Sequence, residues 1–265
     1  MMEKKKKAEA WYEEQGDKRF YKFPRTPHLA GSEVVDDDEV VDQKTLMTAL
    51  SLNPDLKIIV QEKMDGTNVS LYFEEEWMAV PQKRAGLIGT GEKPQYDVFR
   101  NWVYENLETL FSITGTEYVS ASLARCSLTQ SLRYVLFGEW LWCKHAVKYD
   151  ALPAYFLAFD LMEKDTGKFL SYDRLVEKVD GKVKVVPFIW SGSGRDTEFQ
   201  KSISEEMLKK KSAHGSEQAE GVYMRLEEGG YVVDRFKLRR KTFNSGRAGF
   251  TTHIVNNDLK DDVEK

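Results

Sequence analysis

The sequence has few cysteines and no hydrophobic run long enough to cross a membrane. Its longest apolar stretch, ALPAYFLAF, is far shorter than the roughly 20 residues that a transmembrane helix needs. The early cluster MMEKKKK is followed by the polar AEAWYEEQGDK, so a secretory signal is not expected. The 2 cysteines, Cys126 and Cys143, provide neither a disulfide framework nor a metal-ligand spacing. We therefore expect a reducing, cytoplasmic location and no membrane partner.

Internal repeats, low-complexity segments and a clear linker are also absent from the sequence. The simplest expectation is one domain over residues 1–250, which includes an N-terminal extension, followed by a short tail over residues 251–265. A net charge of −4 argues against indiscriminate coating of nucleic acid. One local run, RFKLRRKTFNSGR, is nevertheless strongly basic. Such a run is either a solvated basic face or a nucleic-acid surface.

Apolar patterning predicts strands interspersed with helices. Strands are predicted in LKIIVQEK, GTNVSLYF, WMAVPQKR, LRYVLFGEWLW, AYFLAFDLM and KVKVVPFIW. Helices are predicted in KTLMTALSL, DVFRNWVYENLETLF, TEFQKSISEEMLKKK and SYDRLVEKV, the last capped by Ser171. EGVYMRL and YVVDRFKLR, joined by Gly229 and Gly230, predict a hairpin. Together these patterns predict an α+β fold of antiparallel sheets with flanking helices, not a doubly wound parallel sheet.

The stretch QEKMDGTN places Lys63 at a strand end, beside a turn that contains Gly66. Lysine is a poor nucleophile while protonated, but near cations or away from water it can lose its proton and attack an electrophile. Gly66 would let the backbone approach a ligand closely, and Asp65 and Asn68 could orient groups around the turn. An exposed turn lysine is the alternative, and this short motif alone does not decide between them.

Further short motifs follow in a fixed order. They are KRAG with Arg84, FGEW with Glu139, FLAFDL with Phe159, EGVYM with Glu220, and FKLRRKTF with Lys237 and Arg239. From about residue 55 to 245, the ordered set resembles the covalent nucleotidyltransferase superfamily of ATP-dependent ligases and mRNA capping enzymes. It is most similar to the RNA ligase 2 family, which carries asparagine, here Asn68, where DNA ligases and capping enzymes usually carry arginine. The resemblance implies a nucleotidyltransferase domain with ATP-grasp-like sheets.

The resemblance also implies an ATP-dependent RNA ligase. Lys63 would attack the α-phosphorus of ATP and expel pyrophosphate, the AMP would pass to an RNA 5′-phosphate, and a 3′-hydroxyl would displace it. The implied catalytic residues are Lys63, Glu220, Lys237 and Arg239, and the implied ATP-binding residues are Glu62, Lys63, Asn68, Arg84, Glu139, Phe159, Lys237 and Arg239. A divalent cation, Mg²⁺ or Mn²⁺, would lie near Glu220 and Glu139.

Individual roles follow from the same resemblance. Glu139 would bind the ribose hydroxyls, and Arg84 would contact phosphate and sugar. Phe159 would stack on adenine, with Phe156 pointing to the opposite face of its strand. Glu62 would recognise the adenine edge, whereas Asp65 would serve the turn or the lysine without needing to touch ATP.

The implied partner is RNA with 3′-hydroxyl and 5′-phosphate ends, as in a nicked duplex. Its phosphates would be held by Arg235, Arg240, Lys241 and Arg247. Family members usually add a carboxyl-terminal domain, and we expect neither such a domain nor an OB-fold after KLRRKTF, which leaves open an accessory protein that supplies nucleic-acid binding. The alternatives are a DNA or mixed polynucleotide ligase, and a nucleotide- or RNA-binding protein that has lost catalysis.

Overall fold

The structure, a computed structural model, describes residues 19–34, 38–74, 78–115, 132–196, 210–241 and 254–261. The strands within these ranges are β1 (His28–Leu29), β2 (Val40–Val41), β3 (Lys57–Lys63), β4 (Thr67–Phe73), β5 (Ala79–Lys83), β6 (Gly86–Leu87), β7 (Tyr134–Trp140), β8 (Phe156–Glu163), β9 (Phe188–Ser193), β10 (Gly221–Glu228) and β11 (Tyr231–Arg239). The helices are α1 (Gln43–Leu52), α2 (Pro94–Glu105), α3 (Leu107–Thr114) and α4 (Tyr172–Val179). The helix predicted in TEFQKSISEEMLKKK lies outside the described residues except at Lys210 and Lys211, which are not helical, and Cys126 and Arg247 also lie outside them.

The strands form two sheets that meet where β3 turns into β4. The first sheet has the order β2-β1-β11-β10-β3-β9, and the second has the order β6-β5-β4-β7-β8. The second sheet is antiparallel throughout its described pairs, as predicted. The first sheet is mixed, because β1 pairs in parallel with both β11 and β2. The expectation of antiparallel sheets was therefore wrong at this edge, where strands of 2 residues are too short to show a period in the sequence.

Alternating side chains cover both faces of the second sheet. Leu71 and Leu136 pack with the helices α2 and α3 in one core cluster. Their strand neighbours Tyr72 and Phe137 point the other way, into a second cluster. In the first sheet, Val60 packs against α1 and the apolar side chains of β10 and β11. Each sheet is thus covered by apolar packing.

Two local predictions differ from the structure. The helix predicted in DVFRNWVYENLETLF is divided at Asn106, whose φ of −111° and ψ of 18° leave the helical region. Its side-chain Nδ2 donates to the Trp102 carbonyl at 2.8 Å, a local bond that competes with helix continuation. Ser171 is the N-cap of α4, but its side chain makes no capping hydrogen bond. Glu227 instead accepts a hydrogen bond from the Tyr172 amide at 2.7 Å.

The hairpin of β10 and β11 has the predicted turn. Gly229 and Gly230 adopt φ values of 59° and 83°, a left-handed region that glycine enters without steric cost. Within the described ranges, no helix is long and apolar enough to span a bilayer. The division into residues 1–250 and 251–265 and the likeness to ATP-grasp sheets stay predictions.

Candidate functional site

A pocket of about 440 Å³ opens at the junction of the two sheets. It gathers most of the residues that the sequence motifs predict, namely Glu62, Lys63, Asn68, Arg84, Glu139, Phe159 and Lys237. These residues come from strands of both sheets and from the turn after β5. Glu220 and Arg239 do not line the pocket but lie directly behind Lys63. Sequence segments that are far apart along the chain are thus brought to one cavity.

Lys63, Glu220 and Arg239 form a continuous charged array. The Lys63 Nζ lies 2.5 Å from Glu220 Oε2, and Arg239 Nε lies 3.1 Å from Glu220 Oε1. Gly221 pairs across the sheet with both Lys63 and Arg239, so it stands between the two cations. A Cβ at Gly221 would lie 2.1 Å from the Leu238 carbonyl oxygen, a distance that no other residue tolerates. A glycine is therefore needed for this close approach of the strands.

The charges around Lys63 favour its protonated form. Burial opposes the charge, but the carboxylates of Glu220, Glu139 and Asp65 outweigh it and raise the pKa of Lys63. For Glu139 the balance is opposite. Burial and the negative charges of Glu220 and Asp65 raise the pKa of the Glu139 carboxyl to about 8, because together they outweigh the positive charge of Lys63. At neutral pH the site thus holds a charged lysine beside a largely protonated Glu139.

Aromatic side chains line part of the pocket. Phe159 and Tyr223 line the cavity, and Phe23 meets Phe159 with its ring centroid 5.2 Å away at an angle of 82°. Phe156, as predicted, points to the other face of β8, where it is buried and packs against Trp102. The pocket can therefore accept a flat ring.

Glu62 also lines the pocket, and one of its oxygens has no donor among the described residues. Its Oε2 accepts a hydrogen bond from the Ala213 amide at 2.9 Å. Its Oε1 is buried and makes no hydrogen bond within the described part of the chain. Burial raises the pKa of this carboxyl, while the Ala213 amide and the Ser212 hydroxyl oppose the rise. An unpaired buried acceptor of this kind is suited to a ligand that donates a hydrogen bond.

Asp65 does not line the pocket but holds the loop between β7 and β8. Its Oδ2 accepts hydrogen bonds from the amides of Ala146 and Val147 at 2.7 and 2.8 Å. The Asp65 amide donates to the Tyr149 hydroxyl at 2.7 Å. This loop carries His145, which lines the pocket rim. Asp65 therefore connects the turn after Lys63 to the rim, and the expectation that it need not touch a nucleotide stays a prediction.

The described residues of the predicted RNA-binding set, Arg235, Arg240 and Lys241, differ in exposure. Arg235 is only 8% exposed, and its guanidinium lies 4.0 Å from the centroid of Phe169 and 3.8 Å from Asp160. It is therefore not available to RNA, and this is a correction of the expectation. Arg240 is partly buried and donates to the Ala219 carbonyl at 2.9 Å, whereas Lys241 is exposed. The alternation along β11, which buries Arg235 inward, was visible in the sequence, but the covering of that face was not.

Several pocket residues were missed by the sequence motifs. They are Phe23, Thr26, Lys83, Tyr96, His145 and Tyr223. Two signals were present: Tyr223 shares a strand face with Gly221, and Lys83 directly precedes Arg84. Lys83 forms an ion pair with Glu92 and lies 5.3 Å from the ring centroid of Tyr96. The others come from segments that no local pattern connects to the motifs.

A divalent cation fits this donor set only as a sparsely protein-bound ion. Among the described residues, no group of three or more His, Cys, Asp and Glu side chains could hold a metal ion. Glu220 and Glu139 both act electrostatically on the Lys63 ammonium. Mg²⁺ usually keeps several waters and takes one or two carboxylates together with substrate phosphates. Two carboxylates beside a pocket are compatible with that mode of binding.

Comparison with known proteins identifies relatives of this arrangement. The family model described as RNA ligase matches residues 56–239. A solved Naegleria gruberi RNA ligase with PPi has a TM-score of 0.51 and 17% identity, over 84% of this chain and 61% of that chain. A mutant of that enzyme with ATP and Mn has a TM-score of 0.50 and 16% identity, over 86% of this chain and 64% of that chain. Among curated proteins, no sequence matches significantly.

At these identities the structural likeness shows the fold alone, which is the α+β fold of these ligases. The chain spans 61% of the length of the Naegleria chain with PPi, so that enzyme has residues with no counterpart in this match.

Proposed function

The chain belongs to the RNA ligase family, and we propose that it is an ATP-dependent RNA ligase acting through a covalent Lys63–AMP intermediate. The observation that carries the proposal is the Lys63 ammonium at the edge of the pocket, 2.5 Å from buried Glu220. Lys63 therefore faces the cavity in which an electrophile would bind, and its amine can attack once the proton held by the contact with Glu220 is removed.

The nucleobase would enter between the aromatic rings of the pocket. Phe159 offers a ring for stacking on adenine, and Tyr223 lines the same cavity. The buried Glu62 Oε1, which lacks a donor among the described residues, could accept the amino group of adenine. Asn68 and Glu139 face each other across β4 and β7, where they could reach the ribose hydroxyls. This polarity pattern supports ATP as the nucleotide.

Lys63 must lose a proton before it can attack, because its pKa is raised by the surrounding carboxylates. The neutral amine would form a P–N bond to the α-phosphorus while the bond to the pyrophosphate oxygen breaks. Lys237 lines the pocket, and Arg239 lies on the same face of β11 and contacts Glu220. Both cations could offset negative charge as pyrophosphate leaves. Arg84, exposed at the rim, could contact phosphate and sugar.

Glu220 and Glu139 are the residues that would hold a divalent cation. Such an ion, Mg²⁺ or Mn²⁺, would weaken the ion pair of Lys63 with Glu220, favour the neutral amine and neutralise phosphate charge. The Naegleria structure with ATP and Mn supports this choice of nucleotide and ion.

The later displacements would join RNA ends. A 5′-phosphate oxygen would attack the phosphorus of AMP, which breaks the P–N bond and regenerates the lysine amine. A 3′-hydroxyl would then attack the activated 5′-phosphorus, and AMP would leave. Exposed Lys241 and partly buried Arg240 are the described residues of the predicted basic run that could meet the backbone of a nicked duplex. An accessory protein could supply further contacts.

The test of the covalent step uses α-labelled ATP with Mg²⁺ or Mn²⁺. We expect the intact chain to form an AMP adduct that mass spectrometry assigns to Lys63, and Lys63→Ala to form none. Lys57→Ala is the matched control, because Lys57 lies at the other end of β3 and pairs with Asp173 outside the pocket. Equal labelling of Lys63→Ala would show that another residue is the nucleophile.

Two alternatives remain open to the same experiments. A folded chain that binds ATP and RNA but forms no adduct with either ion would be a nucleotide- or RNA-binding protein. A DNA or mixed polynucleotide ligase would seal a DNA nick as well as a matched RNA nick, and equal or better DNA sealing would overturn the RNA assignment.

A further inference from the structure

The amino-terminal segment forms an unexpected second support for the cationic end of β11. The Lys237 amide donates to the Pro27 carbonyl at 3.0 Å, and His28 pairs with Lys237 in the sheet. Ser32 accepts a hydrogen bond from the Arg239 amide at 2.9 Å. The segment from Pro27 to Ser32 therefore follows β11 past Lys237, which lines the nucleotide pocket, and Arg239, which contacts Glu220 behind it.

A buried histidine in this segment lies beside an acidic side chain that also faces Lys237. His28 is 0% exposed, and its Nδ1 lies 2.6 Å from the Ser32 hydroxyl. Its Nε2 lies 3.1 Å from Asp38 Oδ2, while the other oxygen, Oδ1, lies 3.9 Å from Lys237 Nζ. One carboxylate thus bridges the imidazole and the lysine. Burial, followed by the charge of Lys237, lowers the pKa of His28 to about 4, so the ring is neutral at pH 7.

The distance between Asp38 and Lys237 matters for what this contact does. At 3.9 Å the two atoms attract each other but are too far apart for a hydrogen bond. The ammonium therefore keeps its donors for another acceptor in the pocket that it lines. The groups that act on Lys237 come from several elements: His28 and Asp38 from the amino-terminal segment, Lys63 from β3, Arg84 after β5, Tyr223 from β10 and Arg239 from β11.

We propose that Asp38, which lies between His28 and Lys237, is a positioning residue that directs the Lys237 ammonium into the pocket toward the phosphates of the bound nucleotide. This inference rests on the proposed function, because it assigns Lys237 to those phosphates. Asp38 acts through Lys237 and touches no substrate itself. Burial and the surrounding cations lower the pKa of Lys237, and Asp38 opposes them, so the same carboxylate also preserves the lysine charge.

The experiment compares Asp38→Asn with the parent in equilibrium binding of α,β-methylene-ATP. In this analogue a methylene group joins the α- and β-phosphorus atoms, so the bond that would release pyrophosphate cannot be cleaved. We expect about tenfold weaker binding, since a displaced charged group loses much of its effect on a ligand. In a Lys237→Ala background the further change should be absent. Asp38→Glu should restore part of the affinity. Asp173→Asn, which removes the carboxylate of the exposed pair with Lys57, is the control and should bind as the parent does.

Adduct formation from ATP provides a second readout. Without the Asp38 carboxylate, burial and the neighbouring cations lower the pKa of Lys237 further, so Lys237 loses its charge at a lower pH. In a plot of the rate of adduct formation against pH, the fall on the alkaline side should therefore move to lower pH for Asp38→Asn. His28→Gln should weaken binding in the same direction if it folds, but Asp38→Asn alone decides the matter.

Three outcomes would overturn the inference. They are unchanged affinity in Asp38→Asn, tighter binding, which would make Asp38 a competitor of the phosphates, and an equal loss with and without Lys237. Failure of the proposed function is distinguishable, because then the parent itself would form no adduct.

Discussion

Glu139 should lower the stability of the folded protein at neutral pH, and this follows from its charge environment. The ordinary glutamate pKa is 4.5, and the folded protein raises it to about 8. The folded state therefore binds the proton more tightly than the unfolded chain. The contribution of Glu139 to the free energy of unfolding is therefore highest below pH 4.5, falls as the pH rises toward 8, and then levels off.

The size of the effect follows from the same two values. Each pH unit between these two pKa values lowers the free energy of unfolding by about 1.4 kcal/mol. Ionisation of Glu139 in the unfolded chain therefore lowers the free energy of unfolding by about 3 kcal/mol at pH 7. Part of the Glu139 side chain meets solvent, so this is an upper value. Glu139→Gln keeps an acceptor for the Gly66 amide, now 3.1 Å from Oε1, and does not titrate. We therefore expect the variant to be more stable by about 2 kcal/mol at pH 7.

Urea unfolding of both proteins at several values between pH 4 and 8 measures this difference. It should be near zero at pH 4 and should grow with pH. Glu92→Gln is a control of opposite sign, because the Lys83 and Gly89 contacts outweigh burial and lower the pKa of Glu92. That variant should be less stable at pH 7, with a difference that shrinks toward acid. A Glu139→Gln variant that is less stable, or whose gain does not depend on pH, would refute the reasoning.

The remaining predictions concern residues outside the pocket lining. Arg235→Ala should lower the free energy of unfolding by about 2 kcal/mol, because it removes a largely buried cation from the ring of Phe169, while Asp160 keeps its ion pair with Arg225. RNA affinity should not change, and a loss of RNA binding without a loss of stability in urea unfolding would restore Arg235 to the RNA surface. Asn257→Ala should also cost about 3 kcal/mol, because its buried side chain accepts from the Tyr149 amide and donates to two carbonyls. Unchanged urea unfolding would show that this contact with the rim loop is dispensable.

Much of the local structure could be predicted from the sequence, because it depends on short periods. The alternation in KIIVQEK and TNVSLYF predicted β3 and β4, and paired glycines predicted the turn between β10 and β11. The break of the predicted helix at Asn106 could not be predicted in the same way, since one asparagine side chain decided between two backbone conformations.

The candidate site was predictable as a set of residues but not as a geometry. The order of motifs predicted that Lys63, Glu139 and Lys237 act together, and the structure brings them to one pocket. Their roles stay predictions for the experiments above. The burial of Arg235 could not be predicted, because the sequence of a basic strand does not show whether a given face is exposed to solvent or covered by aromatic rings, as that of Arg235 is by Phe169.

By itself, the sequence determined the family, the strand and hairpin pattern, and the chemistry-bearing residues, because these depend on residue identity and short spacing. Only the tertiary structure determined which charged groups surround those residues and how deeply each is buried. Asp38 meets Lys237 through a pairing of segments about two hundred positions apart, and burial there moves the pKa of His28 to about 4. Burial and long-range neighbours are properties of the folded chain, and no local pattern contains them.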